Sequence, residues 1–184
     1  MMLQNLIYYS LIGILMVSCN SYKSTLKPEE IKAFGAAVSV SDSLIIESNY
    51  AYPRMTGALM DIQNSGFFPM GNVAGNIDIS GTLNYLIINK GNVTAELPYY
   101  GERNVGGYNQ NIGIQFKGQP DDYTIKNNEE GSYIITFSMK DRINSQENYE
   151  IQVYLYPNYK TRLIVNSSHR TSIQYSGNLS IKKM

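Results

Sequence analysis

From about residue 92 to residue 181 the chain alternates apolar and polar side chains with period two. Val93, Ala95 and Leu97 alternate with Asn92, Thr94 and Glu96. Ile112, Ile114 and Phe116 are followed by the pair Tyr123 and Ile125, then by Tyr133, Ile135 and Phe137. Tyr149, Ile151, Val153 and Leu155 face opposite Glu150 and Gln152, and the last run is Ile173, Tyr175, Leu179 and Ile181. Successive side chains of a strand point to opposite faces, so such runs describe antiparallel sheet with one dry and one wet face. The connectors carry turn chemistry: Asn89-Lys90-Gly91, Gly118-Gln119-Pro120-Asp121, Asn127 to Gly131 and Pro157-Asn158. They leave no room for crossover helices. The reading is an all-β fold, a single antiparallel meander closed as a small barrel or folded as a sandwich, with Leu44 opening the β region.

Three segments stand apart from the meander. Pro28-Glu29-Glu30 has the Pro and acidic residues of a helix start, with Ile31, Phe34 and Ala37 on one face. Val38 and Val40 turn the pattern toward β, so this N-terminal helix is expected to be short. Met55 to Gly75 is rich in Gly and Asn around an apolar insertion, Phe67-Phe68-Pro69-Met70. Pro98 to Gln110 reads as a long loop carrying Tyr99, Tyr100, Glu102, Arg103 and Tyr108. Long loops in compact domains are functional or mobile.

The N-terminus is different in kind. Leu6 to Val17 is an uncharged, mostly apolar run of about 12 residues, too short for a bilayer core that needs about 20. It has the length of a signal-peptide apolar region and ends in Met16-Val17-Ser18-Cys19, where Cys19 is the only cysteine. That junction resembles the cleavage box of bacterial lipoproteins, whose cysteine takes a lipid and becomes the new N-terminus. Two features depart from it: residues 1–5 contain no Lys or Arg, and Met16 stands where Leu is commoner. The alternatives are a buried segment with a free thiol and an ordinary cleaved secretory peptide. The expected organisation is a lipoprotein signal peptide over 1–18, a lipid-anchored tether over 19–27 and one β-rich domain over 28–184. The expected location is the cell envelope, facing the periplasm and held by lipid to the outer membrane. Asn20 to Thr25 hold no acidic run of the kind that accompanies surface display.

Charge narrows the partners. Lys plus Arg equals Asp plus Glu at 15 each, and none lies in the first 18 residues, so the remainder is formally neutral. A neutral chain without clustered cations has no electrostatic case for nucleic acid. A single cysteine forms no internal disulfide, so an exported domain of about 166 residues depends on its apolar core. The 16 Tyr, 5 Phe and absent Trp fit a β-rich, turn-rich domain.

Sites for chemistry are sparse. His169 is the only histidine, in Asn166-Ser167-Ser168-His169-Arg170; a hydrolase would pair it with Ser167 or Ser168 and a distant Asp, whereas the plain reading is an exposed turn residue. Zinc has almost no ligands, and the pairs Glu29-Glu30, Asp121-Asp122 and Glu129-Glu130 read as solvated turns rather than metal or paired-carboxylate sites. Nucleotide-binding glycine motifs are absent; Val105-Gly106-Gly107 reads as loop. No catalytic residue, cofactor or metal is expected. The candidate binding loop is Tyr99, Tyr100, Arg103 and Tyr108, since Tyr and Arg are the residues of interaction hot spots. Its plainer reading has Leu97 and one of Tyr99 and Tyr100 pinning the loop to the sheet while Arg103 caps carbonyls; Arg170 is open to the same two readings. The expected function is a non-enzymatic binding or interaction module for an envelope protein or small ligand. The alternatives are a structural or assembly lipoprotein without a pocket and a hydrolase using His169.

Several segments resemble one family. LPYYGER at 97–103, GIQF at 113–116, DYTI at 122–125, ITFSMKD at 135–141 and RLIVNSSHRTSIQYSG at 162–177 follow, in order and spacing, the pattern of the domain of unknown function 4251 found in lipoproteins of the Bacteroidetes. Tyr100 and the added Glu102 depart from the family's LPYFGR, and a Gly common near Asn158-Tyr159 is missing. The resemblance implies a mostly β domain behind a lipoprotein signal and implies no activity.

Overall fold

The computed structural model describes residues 26–68, 71–105, 113–143 and 146–183. The signal segment 1–18, Cys19, most of the tether, Pro69-Met70, Gly106-Gly107, Tyr108, Gln110 and Ile112 lie outside them. The chain opens with helix α1 (Pro28–Ser39), strand β1 (Ser43–Pro53) and helix α2 (Gly57–Asn64). Strands β2 (Ile77–Asp78), β3 (Tyr85–Asn89), β4 (Asn92–Leu97), β5 (Ile114–Gly118) and β6 (Asp121–Asn127) follow. Strands β7 (Tyr133–Lys140), β8 (Asn148–Leu155), β9 (Lys160–Ser167) and β10 (Ile173–Lys182) complete the fold.

All pairings are antiparallel, in one sheet of order β5-β4-β3-β1-β10-β9-β8-β7-β6, with β2 on β1. The sheet curls into a half-barrel rather than splitting into a sandwich. The expected meander is present as two, β3 to β5 and β6 to β10, joined through β1. That strand pairs with β10 along its length and with β3 over Ser43 to Ile46. The alternation holds: Ile135, Phe137, Tyr149, Ile151, Val153, Leu155, Ile173 and Tyr175 are all buried on the inner face.

The expected hairpin at Gly118 to Asp121 is a correction. Strand β5 pairs only with β4 and β6 only with β7, and the alternation of directions around the sheet leaves β5 and β6 running the same way. A single chain therefore passes through Gln119-Pro120 from one edge of the sheet to the other. Gly118 at φ +143° and Asp122 at φ +53° supply the bends, and the register of β6 on β7 slips between Asp121 and Thr124. The Asp121-Asp122 pair thus lies in a strand, not a turn. Across the seam Arg142 N donates to Gln115 O at 2.7 Å, and Phe116 meets Phe137 edge-on with centroids 6.3 Å apart. Strand β6 lies at the edge of the sheet: Tyr123 stacks on Phe137 with ring centroids 6.1 Å apart, yet both it and Ile125 stay exposed, although their alternation predicts a buried face.

The other turns match their chemistry. Lys90 and Gly91 both take positive φ, the two-residue turn whose twist suits a hairpin. Tyr159 takes φ +60°, and its ring packs edge-on to Phe34 at 5.4 Å.

Helix α1 closes one end of the half-barrel. Glu30 accepts a hydrogen bond from Lys27 N at 2.9 Å, fixing the helix start. The helix runs past the expected stop, so Val38 is a buried helical residue beside Phe34 while Ala37 is only half-buried. Helix α2 was not legible in the Gly-rich stretch; Thr56 caps it by accepting from Leu59 N at 3.4 Å. Among the described residues no helix is long and apolar enough to cross a membrane.

Candidate functional site

The far end of the half-barrel is held by a buried ionic cluster. Glu147, just before β8, is fully buried. Arg170, just before β10, lies 2.7 Å from Glu147 Oε1 through Nε and donates to Oε2 at 3.3 Å through Nη2. Arg103 Nη2 lies 3.3 Å from the same Oε2, and Ser167 Oγ donates to Oε1 at 2.7 Å. Arg170 also donates to Gly113 O at 2.8 Å and sits over the Tyr99 ring. One carboxylate therefore ties together the 97–105 loop, the start of β8, the end of β9 and the approach to β10. A charge this deep persists only when paired and hydrogen-bonded, as it is here.

Tyr99 pins the loop from within. Its hydroxyl contacts Glu102 O, Thr171 O and Thr171 Oγ1, each at 2.9 Å, and Thr171 N donates to Glu102 O at 2.9 Å. A Cβ at Gly101 would collide with the Tyr99 hydroxyl and Thr171, so only glycine lets the loop turn here. Tyr175 donates to Pro98 O at 2.8 Å and Tyr149 to Asp141 at 2.6 Å. Burial pushes the Tyr99 and Tyr175 phenols up. Tyr149 is pushed up by burial and further by its bond to Asp141.

The four loop residues singled out by sequence therefore separate. Tyr99 belongs to the pin, and Arg103 pairs with Glu147 instead of capping carbonyls, because a buried carboxylate outcompetes a carbonyl for a guanidinium. Tyr108 lies outside the described residues. Among the three that are described, only Tyr100 lines a ligand-sized space. It lines a cleft of about 300 Å³ with Ala58, Leu59 and Ile62 of α2, Phe68, Ile77, Gly101 and Glu102. That volume sits at the small end of ligand pockets, roughly 300–1,000 Å³. Met60, Ile62 and Phe67 leave exposed apolar surface on and just after α2. A second hollow, about 460 Å³, lies over Ile87, Asn89, Lys90, Asn92 and Thr94 of one hairpin.

The family model for the domain of unknown function DUF4251 matches residues 29–179. The chain belongs to that family. No curated protein matches it. Among solved structures, a DUF4251 family protein from Bacteroides eggerthii aligns at 15% identity with a TM-score of 0.53, covering 83% of this chain and 88% of that one. At that identity the likeness shows the shared fold alone.

His169 is half-buried in the turn after β9, not fully exposed as expected, with Ser168 Oγ 2.7 Å from its Nδ1. Among the described residues no carboxylate hydrogen-bonds to its ring, and the nearby Glu147 is occupied by Ser167, Arg103 and Arg170. Sequence reasoning missed Glu147, Thr171 and the α2 wall of the cleft. The one available signal was Thr56, a cap residue three positions before Leu59.

Proposed function

We propose that this DUF4251 chain is a lipid-anchored module of the cell envelope that works by binding rather than catalysis, with the cleft between α2 and the 97–103 loop as its site. The observation that carries this reading is the cleft itself: a mostly apolar recess whose one wall, Tyr100 to Glu102, is held by the Tyr99 pin and the Glu147 cluster. Preorganised walls of this kind lower the ordering cost of binding. The barrel interior is filled by Phe116, Phe137, Tyr149 and Tyr175, which favours the cleft over the lumen as the place for a ligand. The absence of a carboxylate partner at His169, among the described residues, supports contact over hydrolysis.

Titration of the isotopically labelled full chain with octanol tests the site. Amide shifts are expected to concentrate at Leu59, Ile62, Ile77 and Gly101. Shifts confined to Ile87 and Thr94, or none at all, would remove the cleft as the binding site.

A further inference from the structure

The two edges of the sheet are treated differently. At β5 the carbonyls on the open side are taken: Gln115 O accepts from Arg142 N at 2.7 Å, and Gly113 O, just before the strand, accepts from Arg170 at 2.8 Å. At β6 every residue is exposed, and among the described residues the strand pairs with β7 alone. The hairpin that follows it tells which backbone groups are free. Asn128 N donates to Ser132 O at 3.0 Å, so in this register Lys126 and Thr124 turn their N–H and C=O to β7. Alternation then turns those of Tyr123, Ile125 and Asn127 outward. An edge left open in this way is a template for another strand.

The sequence of this edge complements itself. Asp121-Asp122 stands at its start and Lys126 near its end, and none of the three forms an ion pair among the described residues. Set antiparallel against its own copy about Thr124, the strand brings each Lys126 up to the other's acidic pair. It also sets each Tyr123 opposite the other's Ile125, a cross-strand pair that exchanges hydrogen bonds and covers two apolar side chains now 40% and 48% exposed. A parallel arrangement would put like charges together. The bulge between Asp121 and Thr124 ends the ladder at Tyr123, which keeps the contact short. We propose that β6 is the docking edge for a second copy of this chain, paired antiparallel across a two-fold axis at Thr124. Such a pair uses the same edge of both copies and therefore closes at two.

A contact of so few residues is of transient size, so the test traps it chemically. Single cysteines are placed in the full chain carrying Cys19→Ser, and disulfide-linked dimer is read on a non-reducing gel after mild oxidation. The two Thr124 residues would face each other in a non-hydrogen-bonded pair, with Cα atoms about 4.5 Å apart and within disulfide reach. Thr124→Cys is expected to give about ten-fold more dimer than Thr136→Cys, which shares its face one strand further in and lies beyond that reach. Lys126→Asp, which sets like charges together at an exposed position, is expected to cut the Thr124→Cys dimer about five- to ten-fold, while Lys126→Arg keeps it. Ile125→Pro, which removes an outward N–H and leaves the ladder to β7 intact, is expected to abolish it. A Thr124→Cys dimer no more abundant than that of Thr136→Cys, or one unchanged by both Lys126→Asp and Ile125→Pro, overturns the proposal.

Discussion

Glu147 carries more of the architecture than any other polar residue, and its behaviour follows from what surrounds it. Two guanidiniums and a serine hydroxyl converge on a carboxylate with no exposed surface. Removing it strands Arg170, itself buried, without its ion partner, a change that typically costs about 3–5 kcal/mol. Glu147→Ala is expected to lose stability of that order in urea unfolding, whereas Glu150→Ala, exposed three residues further on in β8, stays within about 0.5 kcal/mol. Equal effects would mean the cluster is not structural. At this scale the sequence was half legible. Tyr99 and Arg103 stood out because aromatics beside a lone cation in a long loop invite attention. Glu147 did not, since Gln146-Glu147-Asn148 reads as a solvated connector and its partners lie 44, 20 and 23 positions away at Arg103, Ser167 and Arg170. Burial by distant segments leaves no local trace.

The strands were legible because one buried face imposes period two wherever the sheet covers its own interior. The pattern misled where coverage ends. Tyr123 and Ile125 alternate like core residues, yet β6 lies beyond the seam that Phe116 closes. Gly118-Gln119-Pro120-Asp121 has hairpin chemistry but conducts the chain onward, because turn residues report local bending and not the direction of the next pairing. Among the helices, α1 shows its importance through Phe34, which is buried between the rings of Tyr133 and Tyr159 at 6.0 and 5.4 Å. Phe34→Ala is expected to cost about 3–5 kcal/mol in chemical denaturation, from lost burial and the cavity left behind. Val40→Ala, exposed at the C-cap of the same helix, is expected to change stability by less than about 0.5 kcal/mol. A Phe34→Ala variant as stable as the parent would mean that α1 does not close the barrel.

At the scale of the whole molecule the two ends of the half-barrel are set apart. Helix α1 lies across the Ser43 end of β1, where Asp42 N donates to Lys182 O. The cleft lies at the other end, where Ile77 pairs with Ala51 and α2 follows Pro53. Eight residues of extended β1, Ser43 to Tyr50, already span about 26 Å. With the lipid proposed at Cys19, the attachment precedes α1 in the sequence, and the cleft lies at the end of β1 away from that helix. The account therefore makes Cys19 an anchor point and the rest a contact surface. The most direct test is fractionation of cells expressing the full chain or Cys19→Ala, with labelled fatty acid in the medium. The account predicts labelled protein in the membrane fraction for the parent, and unlabelled protein that leaves the membrane for Cys19→Ala. A Cys19→Ala chain that stays labelled and membrane-bound would contradict it.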